Sequence, residues 1–512
     1  MEEGVSEVDY FSNFKVDRHF LHYHSPFTAC YSSQEMSHNF SQYNRIVTWR
    51  KLWLYLAKAQ QMLNVDITLA QIEDIKNNIY NINFEAYEEE AKNTRNDVMA
   101  HLKVFMKCCN IAGPIIGLGV SSSYITDNAD LILFRDAFNI ITPKLMNCIE
   151  KFCAFSEKYR ETPTLSYIHN LPSQPTTVGK RAAIWGDGLY SSLQKIIKVK
   201  SELKLRGIKD ISGTQASILR LFDGDKEKVK FLEFRICQYA SFPSTYPLCT
   251  QIYPRIIDYD CIYPLTRLAS IICKICGDIR LLCNFKEIEE MGRKSCNMYQ
   301  SHLNVPVSSE RCCSLARYLM NLSINPLHTA SNQWLERSLD DCVNRRIVLA
   351  EAFIAADSLV ETLSGLVDQL EVNLKIIDSR LKKEMPYLAS NYLVSAMVST
   401  GRYRNEADCK IQDLGTQSSH KYKDLEDEAF ISNLLKDTYF SPIHSDIPSI
   451  LDPVNFIGMS SHQVSLWLHN VRSALSKIQT SEPIKFVYEN PHEKNPEIPP
   501  VVESEFDEIN NQ

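Results

Sequence analysis

Three stretches of the chain repeat apolar residues at steps of three or four positions, once of seven, the spacing that lines up side chains along one face of an α-helix. The repeats are Phe138, Ile141, Leu145, Cys148, Phe152, Phe155 and Tyr159; then Ala182, Trp185, Leu189, Leu193, Ile196, Val199 and Leu203; and then Ile262, Leu265, Ile272, Ile275, Ile279 and Leu282. Helices this long need partners along their whole length. The sequence therefore predicts an all-α fold with a central bundle of long helices.

Shorter helices are predicted before the bundle. Thr68 and Gln71 have the spacing of a capping box ahead of Leu69, and Asp66 is an alternative cap. Pro143 lies inside the first repeat and should kink that helix without ending it. We therefore expect a module of short helices followed by the long ones.

The region after the third repeat continues the bundle and then changes character. Val343, Ile347, Ala350 and Ile354 keep the helical spacing. Charged residues then become more frequent, and short helices are predicted around residues 375–383 and 426–435. This change indicates a smaller domain at the C-terminal side.

The length of 512 residues is enough for two or three domains. We predict an N-terminal helical domain at 25–121, a central helical-bundle domain at 122–372 and a C-terminal helical domain at 373–486. Residues 1–24 and 487–512 are expected to be disordered tails. The last of these is acidic, rich in proline and poor in apolar residues.

Charge and hydropathy exclude two classes of partner. The net charge of -7 is spread along the chain, so no extended basic face is available to contact nucleic-acid phosphates. No apolar run approaches the ~20 residues needed to cross a bilayer, so no membrane partner is predicted. Residues 1–9 are acidic and lack the pattern of a secretion signal, which makes the cytoplasm the expected location.

The 16 cysteines are expected to be reduced, because they include adjacent pairs and several occupy apolar helical positions. The one CxxC pair, Cys273 and Cys276, has no second CxxC or histidine pair at zinc spacing. The glycine pairs Gly117/Gly119 and Gly186/Gly188 lack the third glycine of a dinucleotide loop. No metal or cofactor is therefore predicted.

Polar, turn-rich segments interrupt the predicted helices at 94–97, 121–124, 169–177, 212–215 and 336–346, and loops that join rigid helices are where sites are usually built. The most informative motifs of the chain read TRNDVMAH (94–101), SSSYITDNADL (121–131), TTVGKR (176–181), LRGIKDISGTQAS (205–217), SERCCSLAR (309–317), WLERSLDDCVNRR (334–346) and FSPIHS (440–445). Together they resemble the adenylosuccinate lyases of the fumarase/aspartase superfamily, the animal enzymes most closely. The similarity extends from about residue 25 to about residue 473.

The resemblance implies a three-domain subunit whose long helices form the core of a tetramer, with each active site shared among neighbouring subunits. The family eliminates fumarate from adenylosuccinate and from the succinyl-carboxamide intermediate of purine nucleotide synthesis (SAICAR), without a metal or redox cofactor. A base removes a proton from carbon while an acid protonates the departing nitrogen. Negative charge then develops on a substrate carboxylate, so arginines and neutral donors are needed nearby.

The resemblance also assigns roles to individual residues. His169 corresponds to the general acid, a role that suits histidine because an imidazole can give or take a proton near neutral pH. Ser295 aligns with the serine that acts as the base. The positions that correspond to substrate-binding residues are Tyr31, Arg95, Asp97, Ser121, Ser122, Gln251, Arg311, Arg337 and Arg346.

Several positions depart from the family pattern. Asn96 replaces a histidine between Arg95 and Asp97, and asparagine cannot titrate. Cys30 replaces a phosphate-binding arginine and Cys342 a phosphate-binding serine, while Leu171 replaces a glutamine. The loop around Ser295 also lacks the glycine, lysine and asparagine of the family, where this chain has Lys294, Ser301 and Leu303.

Two hypotheses follow from these departures. The first is a lyase that uses His169 and Ser295 on a remodelled loop. The second is a catalytically inactive paralogue that acts as a structural or regulatory subunit. The assembly would be a homotetramer in either case, or a mixed tetramer with an active paralogue in which sites combine residues from both chains.

Overall fold

The computed structural model describes residues 25–94, 96–291, 305–419 and 429–479. These residues are mainly helical, which confirms the all-α prediction. The predicted tails at 1–24 and 487–512 lie outside the described residues.

The N-terminal part consists of short helices around one long one. The capping box predicted at Thr68 and Gln71 is confirmed: the Thr68 hydroxyl accepts from the Gln71 amide while the Gln71 side chain accepts from the Thr68 amide. The helices of this part are α1 (Pro26–Cys30), α2 (Gln34–Asn39), α3 (Gln42–Met62), α4 (Leu69–Asn77), α5 (Phe84–Thr94) and α6 (Asp97–Cys108).

Five helices form the central bundle, and the predicted repeats lie along the buried faces of three of them. Phe138, Leu189 and Ile272 are fully buried at the centres of three of them. Pro143 lies inside its helix without ending it, as predicted. The bundle helices are α7 (Ser122–Lys158), α8 (Val178–Glu202), α11 (Ile256–Asn284), α12 (Val307–Leu322) and α14 (Asp341–Asp368), with the shorter α9 (Ala216–Leu221), α10 (Lys226–Tyr239) and α13 (Ile324–Ser331) between them.

The first part of α14 differs from the expected buried seam. Ile354 is buried, but Val343 and Ile347 are 71% and 53% exposed. From Val348 onwards α14 is enclosed by α7, α11 and α12, whereas its first two turns extend past that enclosure and border an open cleft. The apolar spacing predicted the helix correctly, but it did not show which part of α14 is buried within the single chain.

A β-hairpin replaces the loop expected at residues 169–177. Strands β1 (Pro163–Ile168) and β2 (Leu171–Thr177) pair in antiparallel register between α7 and α8. Pro172 and Pro175 both lie within the second strand. Because proline is uncommon inside strands, the sequence of this segment does not predict a strand. A second short pair joins β3 (Ile288–Glu290) to β4 (Leu370–Val372).

The C-terminal part contains short helices and a second, smaller core. Leu393, Met397 and Phe430 are fully or almost fully buried in that core. The last helix returns to pack on α7 and α8. The helices are α15 (Leu374–Leu388), α16 (Ser390–Ser399), α17 (Arg404–Ser419), α18 (Ala429–Lys436), α19 (Ile447–Ile450) and α20 (Ser460–Gln479), with 3-10 helices at Thr438–Ile443 and Pro453–Phe456. A further 3-10 helix, Gly113–Ile115, lies in the N-terminal part.

The cysteines in the described ranges carry free thiols. Burial raises the pKa of Cys148 and of Cys153 to about 12, so both thiols stay protonated as core residues. Within the same ranges, no group of histidine, cysteine and acidic side chains is arranged to hold a metal ion. No described helix combines the length and the apolar character needed to cross a membrane.

Candidate active site

A cleft of about 460 Å³ opens where three helices begin. Asp97, Ser122 and Asp341 line the cleft, and they belong to the first residues of α6, α7 and α14. Unpaired backbone N–H groups give each helix N-terminus a partial positive charge. Three such termini from separate parts of the chain thus border one cleft, an arrangement that favours an anionic ligand.

Arg337, one of the predicted substrate-binding residues, is held at the cleft by a buried carboxylate. Its guanidinium contacts Asp341 at 3.1 Å, and a second nitrogen donates to the Cys342 sulfur at 3.5 Å. Asp341 is 1% exposed and also accepts from Arg255 at 2.8 Å. The Asp341 carboxylate therefore links Arg337, at the cleft, to the buried Arg255.

The floor of the cleft is a network of buried charges. Arg255 pairs with Asp127 at 3.1 Å, and Arg345 pairs with Asp258 at 2.5 Å and Asp130 at 3.2 Å. Burial opposes ionisation of Asp127, but the neighbouring arginines outweigh it and hold the pKa of Asp127 below its usual range. At Asp130 burial outweighs the attraction of Arg345, so the pKa of Asp130 is raised.

Gln251 reaches the cleft from a loop that is fixed at both sides. The Tyr253 amide donates to the Asp127 carboxylate at 3.0 Å. On the other side, the backbone of Gly213 approaches so closely that a Cβ atom there would lie 2.0 Å from the Cys249 carbonyl oxygen. Because Gly213 also has a φ of +81°, glycine is required at this position on two grounds.

Asp97 and Arg346 face each other across the mouth of the cleft at 3.0 Å. Both side chains are about half exposed, so this pair is accessible to a ligand and contributes little to stability. The adjacent Asn96 side chain accepts from the Met99 amide at 3.1 Å as the N-cap of α6. Asn96, which stands where the resemblance leads one to expect a histidine, therefore caps the start of α6.

The two predicted serines occupy different environments at the start of α7. Ser122 lines the cleft. Ser121 is the N-cap residue, but its hydroxyl is buried and has no hydrogen-bond partner among the described residues. Only Ser122 is therefore placed to contact a ligand in the cleft of the single chain.

His169 lies at the tip of the β1–β2 hairpin and does not line the cleft. His169 and Asn170 both have positive φ, as in the two-residue turns that suit the twist of a hairpin. Buried Glu287 fixes the hairpin: its carboxylate accepts a hydrogen bond from the Tyr167 hydroxyl and pairs with Arg380 at 3.0 Å. His169, the predicted general acid, is thus exposed at the tip of a hairpin whose base is fixed by buried polar contacts.

Tyr31 and Arg311 form a separate pair. The Arg311 guanidinium lies over the Tyr31 ring, 5.6 Å from its centroid, and neither residue lines the cleft. Arg95 and Ser295 lie outside the described residues. Of the eleven predicted site residues, the cleft brings together Asp97, Ser122, Gln251, Arg337 and Arg346.

Sequence reasoning missed the charged residues beneath the cleft and one arginine in its wall. Asp127 and Asp130 stand three positions apart in the motif SSSYITDNADL and therefore share a helix face, which is a signal that could have identified them. Arg255 and Arg45 carry no such local signal, because an isolated arginine near the start of a helix is ordinary on a surface. The cleft as a whole offers arginines, amide and hydroxyl donors and helix N-termini, a set suited to binding carboxylate and phosphate groups.

Comparison with known proteins identifies relatives over nearly the whole chain. The chain is 39% identical over 466 residues to adenylosuccinate lyase of Schizosaccharomyces pombe, a match covering 90% of this chain and 96% of that protein. It is also 39% identical over 464 residues to the Saccharomyces cerevisiae adenylosuccinate lyase, with 89% and 96% covered. The Schistosoma mansoni adenylosuccinate lyase is 38% identical over 459 residues, with 88% and 95% covered. No protein-family model matches the chain.

Solved structures share the fold at lower identity. The 3-carboxy-cis,cis-muconate lactonizing enzyme from Pseudomonas putida superimposes with a TM-score of 0.75 at 17% identity, covering 89% of this chain and 99% of the other. A fumarate lyase from Mesorhizobium sp. BNC1 gives 0.74 at 16% identity, covering 86% and 98%. The identities with the three curated relatives extend over nearly the whole chain, and on that ground it belongs to the adenylosuccinate lyase family.

Proposed function

We propose that the cleft binds an adenylosuccinate-type nucleotide and that the chain is a subunit of an adenylosuccinate lyase acting in purine nucleotide synthesis. The observation that carries the proposal is the meeting of five separately predicted residues in one cleft at three helix N-termini. Arg337 and Arg346 would contact phosphate or carboxylate groups. Gln251 and Ser122 would supply neutral donors.

In the proposed reaction a base takes a proton from the carbon next to the C–N bond of the succinyl group. The electron pair forms the double bond of fumarate, the C–N bond breaks, and an acid protonates the nitrogen that leaves with the nucleotide. His169 is the proposed acid and Ser295 the proposed base. His169 lies outside the cleft of its own chain. The proposal therefore requires His169 of a neighbouring subunit to reach the cleft.

The test is fumarate release from adenylosuccinate by the full-length chain purified alone. We expect turnover that falls at least about 100-fold in His169→Ala, the lower range for loss of a positioned proton carrier. His469→Ala, an exposed histidine on α20, is the matched control and should retain the native rate. Equal loss in both variants, or none in either, would contradict the assignment of His169.

A second function is favoured by the environment of Asn96. Its side chain is committed to the N-cap of α6 and cannot carry a proton, and Cys30 offers no permanent charge. The second candidate is therefore a subunit that binds the nucleotide without turning it over, in a mixed tetramer with an active paralogue. Nucleotide binding with no fumarate release from the chain alone, together with co-assembly with an active lyase on co-expression, would favour this candidate.

A further inference from the structure

Arg45 differs from the other arginines of the cleft. It lies in the first turn of α3 and lines the same cavity as Trp49, one helical turn further on. The other four cleft arginines each contact at least one carboxylate: Arg255, Arg337, Arg345 and Arg346. Within the described part of the chain, no hydrogen bond or ion pair holds the Arg45 guanidinium, and its Nε is buried without a partner.

An arginine nitrogen that is withdrawn from water and left unpaired is unfavourable. Asp130 lies near enough to Arg45 to interact with its charge, but Asp130 already pairs with Arg345 at 3.2 Å. Arg45 is therefore not neutralised by an ion pair of its own. Its planar group is suited to two parallel hydrogen bonds to an oxyanion.

The surroundings of Arg45 favour an anion that enters from the cleft. Phe40 and Trp49 form an apolar wall beside it, which lowers the local dielectric and strengthens its attraction for negative charge. The helices that begin at Asp97, Ser122 and Asp341 open onto the same cavity and add partial positive charge. An anion in the cleft would thus meet one uncommitted guanidinium together with three helix N-termini.

We propose that Arg45 binds a phosphate or carboxylate group of the ligand that occupies the cleft and contributes to the choice of that ligand. The inference rests on the proposed function for the identity of the ligand, a nucleotide bearing a succinyl group. Phosphate and carboxylate share the oxyanion chemistry that a guanidinium recognises. A ligand that carries only phosphate and a ligand that carries only carboxylates distinguish which group Arg45 binds.

The experiment is calorimetric titration of the full chain with AMP, which offers phosphate, with fumarate, which offers carboxylates, and with adenylosuccinate, which offers both. We expect Arg45→Gln to weaken adenylosuccinate binding by at least about tenfold, in keeping with loss of a hydrogen bond to a charged group. Weakening with AMP alone would identify the phosphate as the partner of Arg45. Weakening with fumarate alone would identify a carboxylate.

Two further variants serve as controls. Arg45→Lys keeps the charge without the planar fork and should recover part of the lost affinity. Arg404→Gln removes a charge from an exposed position on α17 outside the cleft and should bind like the native chain. Thermal melting of each variant checks that the fold is intact.

The outcomes separate this inference from the proposed function. If the native chain and Arg45→Gln bound every probe equally, the role of Arg45 would be overturned while the cleft remained a nucleotide site. Binding of no probe by the native chain would overturn both. If Arg45→Gln proved unstable, affinities of Arg45→Lys equal to native for all three probes would refute a role for the planar guanidinium.

Discussion

Asp341 is the carboxylate that pairs with two of the cleft arginines. It is almost fully buried and pairs with both Arg255 and Arg337, so it links the floor of the cleft to its wall. Removing one member of a buried ion pair leaves the remaining charge without a partner, which is far more costly than the pair itself is favourable. The neighbouring Asp340 is exposed and accepts hydrogen bonds from the nearby Gln333 and Ser338 side chains.

We therefore expect Asp341→Asn to lower the free energy of unfolding by about 3–5 kcal/mol. Asp340→Asn, the adjacent and chemically identical change, should cost less than about 1 kcal/mol. Urea denaturation of both variants measures the difference. Similar midpoints for the two variants would contradict the role given to Asp341.

His101 gives the fold a defined dependence on pH. Burial and then the nearby Arg50 lower its pKa from 6.5 to about 4, so the imidazole is neutral in the folded chain. It stacks on Tyr87 with ring centroids 3.7 Å apart and lies edge-on to Trp49. Between pH 6.5 and about 4 the unfolded chain binds a proton on His101 that the folded chain does not.

The stability contributed by neutral His101 is therefore complete above its unfolded pKa and is lost as pH falls towards about 4. The loss attributable to this residue is at most about 3 kcal/mol. His101→Phe keeps an aromatic ring and should lose less stability than the native chain between pH 7 and 4.5. Denaturation at a series of pH values checks this, with the exposed His469→Phe as the control. Parallel curves for native and His101→Phe would refute the prediction.

At the scale of elements, the cleft depends on how loops attach to the helices. The loop that carries Gln251 is joined to α7 by the bond between the Tyr253 amide and Asp127, and its backbone lies against Gly213. The β1–β2 hairpin is attached in a similar way through Glu287. Rigid helices thus set the distances, and a few buried polar contacts set the loop positions.

Gly213→Ala should disturb both the fold and the cleft. The added Cβ would meet the Cys249 carbonyl oxygen at 2.0 Å, and positive φ adds strain of roughly 1–2 kcal/mol. Gly224→Ala is the matched control, since Gly224 has a φ of +85° but nothing within 4 Å of a Cβ. We expect Gly213→Ala to lose at least about 1 kcal/mol more than the control and to bind AMP more weakly. Urea midpoints and AMP titration test this. Equal losses would mean that the close approach is unimportant.

At the scale of the whole molecule, the long helices leave apolar side chains uncovered. Ile184 on α8 is 59% exposed, and Tyr263 and Leu281 on α11 are 47% and 49% exposed. His169, the Tyr31–Arg311 pair and the cleft are also separate in the single chain. Both features agree with the predicted tetramer, in which neighbouring subunits would cover these helices and complete each site.

We expect light scattering to give about four times the chain mass of 58.8 kDa. Ile184→Asp should shift the population to smaller species, because a buried and unpaired carboxylate at a subunit contact is strongly unfavourable. Leu69→Asp makes the same kind of change on the exposed face of α4, outside the long helices, and should leave the mass unchanged. A monomeric native chain, or equal masses for both variants, would contradict the assembly.

Local spacing and motifs were sufficient to predict the helical bundle and the family from the sequence. Helical periodicity is a local property that depends only on spacing, and the capping box at Thr68 and Gln71 is satisfied within four residues. Motifs such as those around Asp97 and Arg337 can be recognised without knowing where they meet. These features therefore needed no tertiary information.

Which charged residues meet depends on contacts between distant segments of the chain. Asp341 contacts Arg255 from a different helix, and Arg345 contacts Asp130 from a position 215 residues away. The uncommitted state of Arg45 is likewise visible only once every neighbouring carboxylate is located. Ion pairs between distant segments follow from how helices pack, and packing geometry is not encoded in any single local pattern.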